Sequence, residues 1–199
     1  MIKEKRLVQL TKKETMTLVV EKEKVKAPLK LHILGDKVLR QNAKRIAKID
    51  QSVKDLALQM LQTMYAENGI GLAAPQVGVN KQMIVVDLQP DNETNPPLVM
   101  INPVIKKYSK DVCVLEEGCL SIPNVFFDVT RPSKIEVEFK NLEGKLQRIK
   151  AIGWMARVIQ HEMDHLTGVL FVDRIKNNLA LTQELTKQGL DINAVRSIS

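Results

Sequence analysis

The stretch "IGWMARVIQHEMDHLTG" (152–168) follows a polar–apolar alternation and breaks it. It reads as a helix closed by Gly168, because glycine suits the left-handed turn that ends helices. Inside it, HEMDH holds two of the chain's three histidines four residues apart, with a glutamate directly after the first. On an α-helix, positions i and i+4 share one face, one turn apart. His161 and His165 can therefore point at a single ion. Glu162 sits about 100° around the helix. From there its carboxylate can take a proton from a water without itself being a ligand. The same residues also suit an ordinary helix with two partly exposed imidazoles.

Upstream, "SKIEVEFKN" (133–141) and "LQRIKA" (146–151) alternate like strands, and "EGK" (143–145) joins them as a hairpin. "LVMINPVIKKY" (98–108) reads as a strand interrupted at Pro103, and "KQMIVVDL" (81–88) as a buried strand. "DNETNPP" (91–97) is a loop between them. "GIGLAAPQVG" (69–78) has four Gly or Pro in ten residues. It cannot be a regular helix or a central strand, and it suits a backbone that something must approach closely. "DQSVKDLALQMLQTMYAENG" (50–69) is a helix by the spacing of Val53, Leu56, Leu58, Met60, Leu61 and Met64, with Ser52 as its N-cap. A last helix covers roughly 177–189. Strands cluster centrally with helices before and after. The expected class is α+β: a mostly antiparallel sheet packed around the HExxH helix, with a preceding helix and a C-terminal helix. The expected organisation is an N-terminal arm (1–27), a catalytic domain (28–176), and a C-terminal helix and tail (177–199).

Composition narrows the function classes. Hydrophobic content of 44% and charged content of 27% are those of a globular protein. No apolar run approaches the roughly 20 residues of a membrane span. The longest near the N-terminus, "MTLVV" (16–20), is too short for a signal-peptide core. Cys113 and Cys119 are the only cysteines and form no CxxC, which fits a reducing compartment such as the cytoplasm. The net charge is +7, but residues 1–30 hold nine Lys or Arg against four Glu, so the basic excess is mostly a property of the arm. Aromatic content of 4% argues against base-stacking and sequence-specific nucleic-acid recognition.

A catalytic ion of this type usually takes three protein ligands and leaves one place open. A third histidine at the common metalloprotease spacing fails, because Phe171 stands there. Glu184 lies at the distance of another protease type, an HExxH zinc endopeptidase, but in a polar segment that suits a solvated helix face. Cys119, in "EEGCLSIP" (116–123), offers a thiolate suited to zinc, iron or nickel. Taken alone, it also suits a small buried residue.

Together, "GIGLAAPQVG", "EGCLSIP" and "QHEMDH" resemble the three motifs of peptide deformylases, complete and in order. The resemblance covers roughly residues 30–175 and is most similar to cyanobacterial and plastid-type members, so a plastid stroma is the alternative location. It implies removal of the formyl group from the N-terminal methionine of new polypeptides. It implies Cys119, His161 and His165 as metal ligands, and Fe²⁺ as the ion, with Zn²⁺ or Ni²⁺ able to substitute. Glu162 would be the general acid/base. The Gln76 side-chain amide and the Leu120 backbone N–H would form the oxyanion hole. Gly71 and Gly118 would border the bound peptide, and Ile70, Trp154 and Val158 the methionine pocket. An ion pair between Glu117 and Arg131 would brace the cysteine loop. The implied partners are formyl-methionyl nascent peptides and, transiently, the ribosome, but no membrane. Two departures stand out. Phe126 occupies a place where many members carry arginine, and Trp154 one where a smaller apolar residue is common.

Overall fold

Period-2 patterning becomes two antiparallel sheets, with three α-helices set against them. The computed structural model describes residues 27–90, 92 and 94–198. The arm expected over 1–27 therefore lies outside the described residues, Ala27 excepted.

Helix α1 is Gln51–Ala66. Strands β1 (Gly71–Ala73), β2 (Met83–Val86), β3 (Leu98–Tyr108), β6 (Lys134–Lys140) and β7 (Leu146–Ile152) form one sheet in the order β1-β2-β3-β6-β7. Strands β4 (Val112–Cys119) and β5 (Ile122–Pro132) form a separate hairpin. Helix α2 is Gly153–His165, and α3 is Asn178–Lys187. All strand pairs are antiparallel. The chain is thus of mixed α+β class with antiparallel sheets. "GIGLAAPQVG" gives a three-residue edge strand followed by a 3₁₀ turn over Ala74–Val77, and no longer regular element.

Three local expectations change. The α1 N-cap is Asp50, not Ser52: the Asp50 carboxylate accepts the Val53 N–H at 3.2 Å, and Ser52 Oγ donates to that carboxylate at 2.6 Å. A carboxylate at this position also complements the helix dipole. Next, α2 stops at His165, three residues before Gly168. Finally, residues 112–132, to which the sequence reading assigns no strand, form the β4–β5 hairpin. The expected break in β3 falls at Asn102 and Pro103, where the register with β6 shifts and Asn102 takes a φ of 51°. Asn102 uses that bend to hold both backbone groups of Ile46, each at 2.8 Å.

The core has three parts. Met60, Leu61 and Met64 of α1 pack on Leu72 and Val85. Ala156, Val158 and Ile159 of α2 pack on Ala73, Ile84, Val137 and Phe139. Burying each such aliphatic chain contributes roughly 1.5–3 kcal/mol. Leu181 and Leu185 of α3 join Ile122, Val125 and Phe171 in the third part. At the β7–α2 junction Gly153 has a φ of 56°, a left-handed conformation that costs glycine little and lets the strand turn into the helix with no loop. This fixes α2 directly against the sheet, with HEMDH in its last turns.

Candidate active site

Two separate elements supply the chemistry. Cys119 ends β4, while His161 and His165 lie on α2. Ligand atoms of these three residues all lie within 4.8 Å of one another. Cys119 Sγ is 3.3 Å from His165 Nε2. Among the described residues this is the group of His, Cys, Asp or Glu side chains placed to hold a metal ion. Glu184 is not in it. That carboxylate lies on α3 and pairs with Lys187 at 3.4 Å and Gln188 at 2.9 Å.

Glu117, two residues before Cys119, organises the histidine. Its carboxylate accepts two bonds from Arg131, at 2.6 and 2.9 Å, one from Arg157 at 2.7 Å, and one from His161 Nδ1 at 2.9 Å. Burial alone would raise its pKa, but bonds from Arg131 and His161 outweigh that and hold it far below the usual carboxylate range. An ionised carboxylate only accepts. His161 Nδ1 must therefore donate to it, which leaves Nε2 as the atom that would ligate an ion once it has given up its own proton. Arg131 reaches on to Asp164 at 2.7 Å, and Arg174 binds the same aspartate with two bonds of 2.7 Å. Burial also opposes charge on His161, yet its contacts with Cys119 and Glu117 raise its pKa well above the ordinary value. Burial, then the neighbouring His161, push His165 well below it and keep that imidazole neutral.

Glu162 is buried, and its Oε2 has no hydrogen-bond partner. Burial pushes its pKa up to about 7, against the opposing effect of His161. That value suits a group that must both take and give a proton near neutrality. Gly71 explains how a backbone passes beside it. A Cβ there would meet Glu162 Oε1 at 2.5 Å and Val158 Cγ1 at 2.7 Å. Gln76 is held in one orientation: its Oε1 accepts the Ala73 N–H at 2.8 Å, and Nε2 turns towards Cys119 Sγ at 3.5 Å and Ser121 Oγ at 3.2 Å.

These groups open onto a cavity of about 660 Å³. Gly71, Gln76, Cys119, Leu120, His161 and Glu162 all line it. Glu117, Gly118 and Val158 line it too, with Ile70, Trp154 and Phe126 as half-exposed apolar groups. His165 and Arg131 are buried and do not line it.

Arg157, Asp164 and Ser121 also belong to this network, although the motifs do not single them out. Arg157 leaves a signal, an arginine one turn before His161 on the same helix face. Ser121 and Asp164 leave none beyond their places inside the motifs.

The donor set fits a divalent transition ion. One thiolate and two imidazoles are ligands for zinc, iron or nickel. One imidazole is tautomerically fixed by Glu117 and the other is kept neutral. His165 Nδ1 is buried without a partner.

Comparison with known proteins places this geometry. A family model described as polypeptide deformylase matches residues 28–180. The chain is 59% identical over 186 residues to a peptide deformylase of Synechocystis sp., covering 93% of this chain and 100% of that one. It is 58% identical over 183 residues to one from Microchaete diplosiphon, covering 92% and 98%. A crystal structure of a peptide deformylase from Synechococcus elongatus in complex with actinonin superposes with a TM-score of 0.89 at 54% identity, over 92% of this chain and 100% of that chain.

Proposed function

This chain belongs to the peptide deformylase family, and from that membership we propose how its cavity works. The chain is a metal-dependent hydrolase that removes the formyl group from the N-terminal methionine of newly made polypeptides. The observation that carries the site assignment is the convergence of Cys119, His161 and His165 beside the buried Glu162.

Cys119 and the two histidines would hold the ion. When bound, it supplies Lewis-acid activation of water near neutral pH. Every other task falls to the chain. Glu162 accepts a proton from the attacking water and returns it to the leaving amine. The Gln76 amide, fixed by Ala73, and the Leu120 N–H donate to the formyl oxygen as it gains charge. Losing one such donor typically costs roughly 100- to 1,000-fold in rate. Ile70, Trp154 and Val158 enclose the methionine side chain. The Gly71 and Gly118 backbones border the peptide. Glu117 orients His161, with Arg131 securing Glu117.

The ion proposed for the cell is Fe²⁺, with Zn²⁺ or Ni²⁺ as substitutes; a thiolate-containing donor set supports a transition metal over magnesium or calcium. Residues 28–176 are proposed as the catalytic domain, with α2 as its central element, and 177–199 as a C-terminal helix and tail whose helix α3 packs on it through Leu181 and Leu185. The cyanobacterial relatives support a cytoplasmic location. A transient ribosome contact follows from the nature of the substrate. Among the described residues no helix is long and apolar enough to cross a membrane.

The test is formate release from a short formyl-methionyl peptide by anaerobically purified protein. A Glu162→Ala variant and a chelator-treated sample run alongside. Turnover by the untreated wild type alone is the expected result. Turnover that survives Glu162→Ala would overturn the assigned base, and turnover that survives the chelator would overturn the metal.

A further inference from the structure

Arg157 is the largest fully buried side chain among the described residues. It stands one helical turn before His161 on α2. Its Nη1 donates to Glu117 Oε1 and to the Val129 carbonyl, both at 2.7 Å. Its Nη2 donates to the Cys113 carbonyl at 2.7 Å and contacts Cys113 Sγ at 3.2 Å. Its Nε is buried with no partner.

Charge balance does not explain it. Arg131 already gives Glu117 two bonds. A second buried guanidinium costs desolvation and leaves one donor unpaired, where a methionine of similar reach would pack more cheaply. Arg131 and Gln160 also tie α2 to the hairpin, but Arg157 reaches from the helix to both hairpin strands and to Glu117 with one side chain. It joins the β4 backbone at Cys113, the β5 backbone at Val129, and the carboxylate that orients His161. Cys119 lies at the end of that same β4 strand. The sulfur and the two imidazoles come from elements with no covalent tie near the site. Their mutual placement therefore depends on such bridges, and displacements of order 1 Å matter at a reacting centre. A lysine could not substitute: one ammonium on a flexible stem cannot span these acceptors as a planar fork does.

We propose that Arg157 is a positioning residue that sets the registry between the Cys119 hairpin and the histidine helix, and fixes the Glu117 oxygens that orient His161. The proposal rests on the metal-hydrolase reading of the site. Its test compares wild type with Arg157→Lys and Arg157→Met, using the exposed Arg148→Met on β7 as a control. Cobalt-loaded proteins are followed as they release Co²⁺ to a chelator. The His161 Nδ1–H resonance is read by ¹⁵N-edited NMR in metal-free protein, and kcat and KM are measured on a formyl-methionyl peptide.

Arg157→Met is expected to release Co²⁺ roughly 10- to 100-fold faster. Its kcat falls with KM changed by less than about twofold, and the Nδ1–H resonance moves. Arg157→Lys lies between, and Arg148→Met matches wild type. A purely structural residue would lower the melting temperature and nothing else. The proposal is overturned if Arg157→Lys, folded, releases Co²⁺ at the wild-type rate with the resonance unmoved. Should Arg157→Met fail to fold, the lysine variant decides by the same criteria. If wild type releases no formate, the reaction assignment fails, while metal release and the resonance still decide the role of Arg157.

Discussion

At the scale of single residues, Glu162 sets a conflict between stability and reaction. Its folded pKa is raised from 4.5 to about 7 by burial. The stability this group allows is fully present below its unfolded pKa and is lost as pH rises from there through about 7. Glu162→Gln should therefore stabilise metal-free protein at pH 8 by on the order of 3 kcal/mol. The gain should vanish near pH 4, while turnover is abolished in loaded protein. Chemical denaturation of chelator-treated samples at both pH values checks this; equal stabilisation at the two would refute the assignment. Gly71 makes a second case. A Cβ there meets the Glu162 carboxylate at 2.5 Å, so Gly71→Ala should lower kcat/KM by roughly 100-fold or more through misplacement of the proposed base. Circular dichroism should show the fold retained. Gly71 was legible in the sequence as a residue that something approaches, because four Gly or Pro in ten residues leave few other readings. That the neighbour is the glutamate of HEMDH was not legible, since the contact spans 91 residues of chain.

Elements carry different risks. Asp50, the cap of α1, does not line the cavity, so Asp50→Ala should cost about 1 kcal/mol of stability and leave kcat unchanged. Thermal melts and formate assays together test that separation. The β4–β5 hairpin and α2 are held by Glu117, Arg131 and Arg157. Glu117 has its folded pKa depressed. It therefore contributes stability above the ordinary carboxylate range, and that contribution is lost as pH falls below it. Glu117→Gln should cost roughly 3–5 kcal/mol at pH 7, because it strands two buried guanidinium groups. The deficit should shrink on acidification, and urea melts at pH 7 and pH 4 would expose a deficit that does not. Sequence periodicity located α1, α2, β6 and β7, where one face is apolar and the other solvated. It passed over the hairpin because Gly118, Pro123 and Pro132 break the pattern. Alternation continues within each fragment, with Val125, Val129 and Arg131 turned inward.

For the whole molecule, the site is a junction of separately anchored pieces, so a ligand spanning them should stabilise the entire fold. A short methionyl peptide, the product of the reaction, should bind metal-loaded protein. At 100 times its Kd it should add about 2.7 kcal/mol, or roughly 5–10 °C in melting temperature for a chain of this size. An equal shift in chelator-treated protein would show that binding does not need the ion. By itself the sequence determined the chemistry: the HEMDH spacing, the cysteine of "EGCLSIP" and the Gly-rich segment, because helical periodicity and residue type are local properties. Spacing alone left the third ligand open between Cys119 and Glu184, and the resemblance to peptide deformylases favoured Cys119. Only the tertiary structure decided which of them meets the histidines, and how Glu117, Arg131 and Arg157 hold His161 in one tautomer. The reason is physical. These contacts join a hairpin, a sheet and a helix across long separations in the chain. The ion pairs that keep Glu117 charged, and the burial that raises Glu162 and keeps His165 neutral, exist only once those elements have packed.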